Sequence, residues 1–198
     1  MRLLLVRHGE SEWNAARRLQ GQADIALSER GREQARRLRP LIEGLAPDLC
    51  VSSDLARAAE TARLLGAERA RLTPALREID VGAWTGEAIA EIVSREPEAY
   101  AGWRAGTHAP EGGETWAAFR ARAAQAVAAA AQGRRHLLVV CHGGVIRALL
   151  DHFLALAPAR IVPVGPASLT ALRLDGAGAA RLELFNFTPG QPDLAAPD

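Results

Sequence analysis

Three short, largely apolar runs constrain the fold of this 198-residue chain more than any other feature. They cover residues 3–6, 48–51 and 136–141, and their composition is typical of strands buried on both faces of a sheet. Helical spacing of apolar residues predicts helices over residues 28–45, 55–65, 115–131 and 145–156. This alternation predicts an α/β fold with a mostly parallel central sheet and helices on both faces.

The pattern changes towards the C-terminus, where residues 168–175 and 180–186 alternate between apolar and polar with period two. The glycines around residue 177 lie between them, so we expect an antiparallel hairpin at one side of the sheet. Glycine and proline punctuate residues 82–113, which we interpret as a small lid insertion, and residues 191–198 as a loose tail. The prediction is a three-layer α/β sandwich with one domain over residues 1–190.

The charge balance limits the partners of the chain. With 24 basic and 23 acidic residues, no general field favours nucleic acid or an anionic membrane, so any recognition of an anion is local. The first apolar run is too short for a signal peptide, and no stretch approaches a membrane span. We therefore expect a cytoplasmic protein, in which Cys50 and Cys141 are reduced and act as small hydrophobic residues.

Polar motifs follow the three predicted strands. They are Arg7-His8-Gly9, Ser52-Ser53-Asp54 with Arg57 three residues on, and His142-Gly143-Gly144. In an open parallel sheet, ligands bind outside the carboxyl ends of the strands, so we expect all three motifs to share one crevice.

Two histidines and two arginines in one crevice suit a phosphoryl group. Arginine offers a forked set of donors that matches phosphate oxygens, and helix N-termini add backbone N–H groups. Gly9, Gly143 and Gly144 would let the backbone approach such an anion closely. A metal site fits poorly, because the histidines lack the spacing of metal ligands and the adjacent arginines would repel a cation. We predict no metal.

Five motifs extend this pattern along the chain: RHGESEWN, GQADIALSERGREQA, SSDLARAAETA, LREIDVGAWTG and VVCHGG. In this order and spacing the chain resembles the histidine phosphatase superfamily, in its phosphoglycerate mutase-like branch, over roughly residues 2–190. The resemblance implies a small phosphorylated substrate and catalysis through a phosphohistidine.

The resemblance also implies a role for individual residues. His8 would be the nucleophile, and its neutral form, which attacks phosphorus, would be favoured by the nearby arginines. Glu78 would protonate the departing oxygen and later accept a proton from water. The remaining implied residues are Arg7, Arg57 and His142, which would hold the phosphoryl oxygens, Asn14 and Gly143, which would complete that pocket, and Gln20 and Gly21 at the substrate entrance. Glu10 and Ser11 would have supporting roles.

Both phosphatases and mutases carry these residues, so two activities stay open, beside a module that binds a phosphorylated ligand without turnover. The resemblance implies two features for a cofactor-dependent phosphoglycerate mutase. The catalytic glutamate is followed by an Arg-His-Tyr type of sequence, and a longer insertion carries paired arginines. Here Glu78 is followed by Ile79, Asp80 and Val81, and Arg104 stands alone in a short insertion. We therefore expect a phosphomonoester hydrolase without a cofactor. 2,3-Bisphosphoglycerate would be needed only by the mutase alternative, and the resemblance leaves a homodimer open.

The other notable side chains have less specific predictions. Trp103, Arg104 and His108 lie in the lid segment and are candidates for contact with the substrate. Trp13, Trp84 and Trp116 are expected to have packing roles and not to form a platform for a sugar or a base, and His136 and His152 are expected to have structural roles.

Overall fold

A computed structural model describes residues 1–175 and 179–190 of the chain. Within these residues there are six strands: β1 (Arg2–Arg7), β2 (Leu49–Ser53), β3 (Arg71–Thr73), β4 (His136–Cys141), β5 (Leu169–Leu174) and β6 (Ala180–Phe187). Seven α-helices accompany them: α1 (Glu12–Ala15), α2 (Glu29–Leu45), α3 (Ala56–Leu64), α4 (Ile89–Arg95), α5 (Pro97–Ala105), α6 (Trp116–Ala131) and α7 (Gly143–Leu154). Short 3-10 helices cover Pro74–Leu76, Gly82–Trp84 and Pro158–Arg160.

The strands form one sheet in the order β3-β2-β4-β1-β5-β6. The first four strands of the chain pair in parallel, whereas β5 and β6 pair antiparallel at one side. The α/β class, the mostly parallel sheet and the C-terminal hairpin are therefore confirmed. The predicted turn at residues 176–178 and the predicted tail at residues 191–198 lie outside the described residues.

Strands β1 and β4 are buried on both faces, as their apolar runs predicted, whereas Leu49 and Cys50 at the start of β2 are only half-buried. In β1, Leu3 and Leu5 face one core, which includes residues of α6 and α7, while Leu4 and Val6 face a second core with residues of α2 and α3. All four side chains are fully buried. Burying a side chain of this size contributes roughly 1.5–3 kcal/mol, so helices on both faces hold the sheet in place.

Both ends of the last helix, α7, lie two residues from their predicted positions. Helix α7 begins at Gly143, two residues before the predicted start, because His142 is extended and serves as its N-cap. It ends at Leu154 instead of residue 156, because Ala155 adopts a left-handed conformation with φ of 52°. Helix α2 begins as predicted, since the Ser28 side chain accepts a hydrogen bond from the Gly31 N–H group.

The segment 82–113 contains two short helices, α4 and α5, that the sequence did not predict. Trp84, which is 3% exposed, ties this segment to the core and contacts Tyr100, Trp103 and His108 at ring-centroid distances of 6.3, 6.1 and 5.9 Å. That the segment acts as a lid remains a prediction. Strand β3 was also missed, because its three residues at the sheet edge include no apolar run.

Gly9 and Gly31 form a close backbone contact that the sequence did not predict. We expected Gly9 to make room for an anion. Instead, a Cβ atom on Gly9 would lie 2.3 Å from the Gly31 carbonyl oxygen, and one on Gly31 would lie 2.0 Å from the Glu10 carbonyl oxygen. The pair thus lets the loop after β1 pack directly on the first turn of α2.

This contact predicts a large difference between two glycines of the same helix. Gly31→Ala should lower the free energy of unfolding by about 2–3 kcal/mol or more, because its methyl group overlaps backbone atoms that cannot rotate away. Gly44→Ala should raise it by up to about 1 kcal/mol, since its Cβ would meet nothing within 4 Å. Urea unfolding of the two variants measures both effects, and equal stabilities would contradict the contact.

Candidate active site

The three polar motifs meet at the carboxyl ends of neighbouring strands. Strand β4 lies between β1 and β2, and the His8 N–H group donates to the Cys141 carbonyl oxygen at 2.9 Å. One cavity at this edge is lined by eight of the predicted site residues: Arg7, His8, Asn14, Gln20, Gly21, Arg57, Glu78 and Gly143. The prediction that the motifs share one crevice is therefore correct. The exception is His142, which lies beside this cavity and is not part of its wall.

His8 is 2% exposed and has one nitrogen fixed by the backbone. Its Nδ1 lies 2.6 Å from the Gly9 carbonyl oxygen, which can only accept, so Nδ1 carries the proton of the neutral ring. The lone pair is then on Nε2, which lies 3.3 Å from Nε of Arg57. Burial, together with the charges of Arg57 and Arg7, lowers the pKa of His8 well below its ordinary value of 6.5. The ring is therefore neutral at pH 7.

Arg57 extends from the first turn of α3 into the cavity and is 1% exposed. Its terminal nitrogens donate to the carbonyl oxygens of Ala23 at 2.7 Å and Gly21 at 2.9 Å. Burial lowers its pKa to about 10, which leaves the guanidinium charged at neutral pH. A positive charge is thus held directly beside the lone pair of His8.

Arg7 comes from the last residue of β1 and is 4% exposed. It donates from Nη1 to the Val164 carbonyl oxygen. Gly143 lies against it, because a Cβ atom on this glycine would be 3.5 Å from the Arg7 Nε atom. The N-terminus of α7 and the Arg7 side chain therefore form one wall of the cavity.

His142 has no exposed surface and packs against the nucleophile candidate, with ring centroids of His142 and His8 5.1 Å apart. Its Nε2 lies 2.9 Å from the Ser53 hydroxyl oxygen. Burial, together with the charges of Arg57, Arg7 and Arg122, lowers its pKa well below the ordinary value of 6.5. Like His8, His142 is neutral at pH 7.

Glu78 reaches the cavity after the 3-10 helix Pro74–Leu76, and its two oxygens accept backbone hydrogen bonds. Oε2 accepts from the Gly144 N–H group and Oε1 from the Ile79 N–H group, both at 2.9 Å. A Cβ atom on Gly144 would lie 2.2 Å from Glu78 Oε1. Gly144 therefore makes room for the carboxylate, and not for a ligand as the sequence suggested.

Arg122 supports the segment that carries Glu78, and no sequence pattern indicated this role. It donates from α6 to the carbonyl oxygens of Arg77 at 2.8 Å and Glu78 at 2.9 Å. Glu114 pairs with it at 2.7 Å. This ion pair fixes the backbone on which Glu78 sits.

Asn14 and Gln20 are connected through Ser11. The Asn14 amide oxygen accepts from the Ser11 N–H group at 3.1 Å, and the Ser11 hydroxyl donates to the Gln20 amide oxygen at 2.7 Å. The side-chain NH₂ group of Gln20 is then the end that can donate to a ligand. Ser11 thus has the supporting position that was predicted, and Glu10 accepts from the Ser28 hydroxyl at 2.8 Å.

The part of the cavity beyond the predicted site residues differs from them in character. It is lined by Trp103, Arg104, Trp116 and Arg147 and by the aliphatic side chains of Leu19, Ile79, Val81 and Val164. Arg147 was missed, although it lies one helical turn after Gly143 and so faces the same side of α7. It donates to the carbonyl oxygens of Arg104 at 2.6 Å and Pro158 at 3.1 Å and lies over the Trp116 ring.

The remaining candidates lie outside this cavity. His108 packs against Trp84 and does not line the wall. His136 Nδ1 is 2.8 Å from the Leu45 carbonyl oxygen, and His152 contacts Phe153, as expected for structural residues. Burial raises the pKa of the Cys50 thiol to about 12, so this free cysteine is not a nucleophile at neutral pH.

Two negative findings apply to residues 1–175 and 179–190. In this part of the chain, no three or more His, Cys, Asp or Glu side chains are grouped so that they could hold a metal ion. No helix there has both the length and the apolar character required to cross a membrane.

The two buried histidines predict acid sensitivity. Below pH 6.5 the unfolded chain binds protons at His8 and His142, whereas the folded chain does not, so the free energy of unfolding falls as the pH drops. We expect a slope of up to about 1.4 kcal/mol per pH unit for each histidine between about pH 6.5 and pH 5. Urea unfolding across this range should show a smaller slope for His8→Gln than for the wild type. Identical slopes would contradict the buried neutral state of His8.

Comparisons with known proteins agree with this geometry. The family model described as Histidine phosphatase superfamily (branch 1) matches residues 3–188. A glucosyl-3-phosphoglycerate phosphatase of Mycobacterium tuberculosis (strain ATCC 25618 / H37Rv) is 38% identical over 178 residues, which are 83% of this chain and 80% of the relative. An adenosylcobalamin/alpha-ribazole phosphatase of Escherichia coli (strain K12) is 34% identical over 163 residues, which are 79% and 80% of the two chains.

Solved structures show the same similarity. A mycobacterial glucosyl-3-phosphoglycerate phosphatase complexed with VO3 has a TM-score of 0.85 and 38% identity, covering 93% of this chain and 98% of its own. The alpha-ribazole phosphatase from Shigella flexneri has a TM-score of 0.82 and 28% identity, covering 98% of this chain and 100% of its own.

Proposed function

We propose, because the chain belongs to branch 1 of the histidine phosphatase superfamily, that it hydrolyses small phosphomonoesters through a phosphohistidine at His8. One observation carries the assignment of His8. Its Nδ1 is committed to the Gly9 carbonyl oxygen, so its only lone pair lies on Nε2, in the cavity and beside Arg57. A neutral, fixed imidazole next to an anion-binding arginine is the arrangement that attack on a phosphoryl group requires.

In the first step, Nε2 of His8 attacks phosphorus, a P–N bond forms and the P–O bond to the leaving alcohol breaks. Arg7 and Arg57 hold the phosphoryl oxygens, joined by Asn14, His142 and the Gly143 N–H group. Fixed donors of this kind stabilise charge as it moves between the attacking and leaving atoms. Burial of both arginines supports this role, since it strengthens their interaction with an anion.

Glu78 gives its proton to the departing alkoxide oxygen. In the second step, water attacks the phosphohistidine, Glu78 takes a proton from that water, the P–N bond breaks and inorganic phosphate leaves. The carboxyl group has returned to its protonated form and His8 to its neutral form. Nucleophile, acid and oxygen-binding donors are all side chains or backbone groups of this protein, so we propose a reaction without a metal or an organic cofactor.

The part of the cavity beyond the predicted site residues supports a substrate class. Trp103 and Trp116 offer flat apolar surfaces to this part of the cavity, and Arg104 and Arg147 add positive charge to its lining. We propose a compact organic phosphate that carries a second acceptor-rich group, such as a carboxylate or a set of hydroxyls. The relatives named above, a glucosyl-3-phosphoglycerate phosphatase and an alpha-ribazole phosphatase, have names that describe small phosphorylated metabolites.

We also propose a cellular location and an oligomeric state. The two free cysteines favour a reducing compartment, which supports the cytoplasm. A homodimer is proposed only on the basis of the family.

A mutase is the second candidate, because a relative from Arabidopsis thaliana that is 37% identical is called phosphoglycerate mutase-like protein 4. A mutase must keep water from the phosphohistidine and return the phosphoryl group to its product. After Glu78 this chain places two aliphatic side chains, Ile79 and Val81, in the cavity wall. They lack the side-chain donors of the Arg-His-Tyr type of sequence that the resemblance associates with mutases, which favours the hydrolase.

Phosphorus NMR separates the two activities. The protein is incubated with 3-phosphoglycerate and a trace of 2,3-bisphosphoglycerate, and in parallel with simple esters that either carry or lack a carboxylate. Inorganic phosphate without isomerisation, released fastest from carboxylate- or hydroxyl-rich esters, is the expected result. Formation of 2-phosphoglycerate as the main product would make the protein a mutase. Absence of both reactions, with phosphate still bound, would make it a binding module.

A further inference from the structure

Ser53, the last residue of β2, contacts the site residue His142 but does not line the cavity itself. Its hydroxyl oxygen lies 2.9 Å from Nε2 of His142 and accepts from the Leu55 N–H group at 3.3 Å. Both Ser53 and His142 have no exposed surface. Water therefore does not compete for these hydrogen bonds, and they decide which nitrogen of His142 carries the proton.

Counting hydrogen atoms gives the direction of the bond between the two side chains. If His142 donated from Nε2, the hydroxyl hydrogen of Ser53 would need another acceptor, and the described part of the chain offers none. If Ser53 donates to Nε2 instead, its hydroxyl both donates and accepts, as a buried hydroxyl should. A neutral imidazole has one N–H group, so its proton is then on Nδ1.

The other ring nitrogen of His142, Nδ1, has a different environment. It is buried and has no hydrogen-bond partner among the residues that the structure describes. A buried N–H group without an acceptor is destabilising and calls for an explanation. The ring lies next to that of His8, with centroids 5.1 Å apart. A phosphoryl oxygen bound at His8 would be the missing acceptor.

We propose that Ser53 is a positioning residue that holds His142 with its proton on Nδ1, so that this N–H group donates to the phosphoryl group at His8. The proposal rests on the proposed function and adds a residue that touches no substrate atom. Without the serine hydroxyl, the proton can move to Nε2. A lone pair on Nδ1 would then face the phosphoryl oxygens, and a donor would become a repulsive group.

The neighbouring serine provides a matched control. Ser52 is also fully buried, but its hydroxyl donates to the Ser53 carbonyl oxygen at 2.9 Å and makes no contact with His142. Ser52→Ala thus removes a buried hydroxyl of the same size from the same strand. Ser53→Thr keeps the hydroxyl at the tested position and serves as the conservative variant.

The first measurement is nitrogen-15 NMR of the histidine rings in the free wild-type protein, with the His142 signal assigned by its absence in His142→Gln. We expect a protonated Nδ1 and an unprotonated Nε2. A protonated Nε2 would overturn the proposal, even if every variant were to fold poorly. In Ser53→Ala, we expect the proton of His142 to shift at least partly to Nε2.

The second measurement is hydrolysis of p-nitrophenyl phosphate and its inhibition by orthovanadate. Ser53→Ala should lower kcat and weaken vanadate binding by roughly 10- to 100-fold, less than the ~10²–10³-fold cost of deleting such a donor. Ser53→Thr and Ser52→Ala should stay close to the wild type. Equal effects of Ser53→Ala and Ser52→Ala, whether small or large, would contradict a specific role of Ser53.

The two measurements test the proposed function and the role of Ser53 separately. A wild-type protein that hydrolyses no ester contradicts the proposed function. The position of the His142 proton does not depend on turnover, so the NMR measurement still decides the role of Ser53.

Discussion

Replacing His8 with alanine is expected to lower kcat for every phosphomonoester by about 10⁴-fold or more, as removal of a nucleophile does in other covalent enzymes. In this variant water would have to attack phosphorus directly, without a nucleophile that the protein holds in line with the leaving group. Steady-state release of inorganic phosphate measures the loss. In a second measurement, an ester labelled in its phosphoryl group is mixed with the protein and the reaction is stopped rapidly without acid. The wild type should then carry the labelled phosphoryl group, and His8→Ala should carry none.

The control for this variant is His152→Ala. His152 is exposed on α7 and contacts Phe153, so its loss should leave turnover near the wild-type rate. Circular dichroism and the urea midpoint establish that His8→Ala is folded. A folded His8→Ala variant that retains most of the activity would reject the phosphohistidine and, with it, the proposed reaction.

Glu78→Gln should reveal a dependence on the leaving group. Without an acid, alkyl phosphates must expel an alkoxide, and we expect kcat to fall by about 10²–10⁴-fold. p-Nitrophenyl phosphate expels a stable phenolate that needs no proton, so its P–O cleavage should fall far less. Stopped-flow traces of nitrophenolate release, followed by slow steady-state turnover, would separate this first step from hydrolysis of the phosphohistidine.

The same comparison tests a purely structural role for Glu78. Its carboxylate accepts from the Gly144 and Ile79 N–H groups, and glutamine can replace only one of these two acceptors. If this loss merely disturbed the N-terminus of α7, both classes of ester would slow equally in the first step. Glu111→Gln, an exposed change on the nearby loop, is the control and should leave both rates unchanged.

The positions of the central site residues followed from the direction of the strands. Arg7 and His142 each stand at or directly after the end of a buried apolar run, and parallel strands bring such ends to one edge. The location of Arg57 followed from the helix after the second run. Glu78 belongs to no regular pattern, and only the resemblance to a family pointed to it.

Other features depend on contacts between distant segments, which periodicity does not encode. Arg122 supports Glu78 across 44 positions, and Ser53 meets His142 across 89. The roles of two glycines were predicted wrongly for the same reason. Gly9 is required by its contact with Gly31, and Gly144 by its contact with Glu78. Strand β3 and helices α4 and α5 are short, so tertiary packing outweighs the local signal in their sequences.

The two-part lining of the cavity has a consequence for how this scaffold can change. The phosphoryl end is built from strand termini and helix starts that the core fixes, whereas Trp103 and Arg104 come from the separate segment 82–113. Mutations in that segment leave the nucleophile and its arginines in place. Natural divergence or laboratory evolution can therefore change the preferred ester, while the residues that transfer the phosphoryl group stay the same.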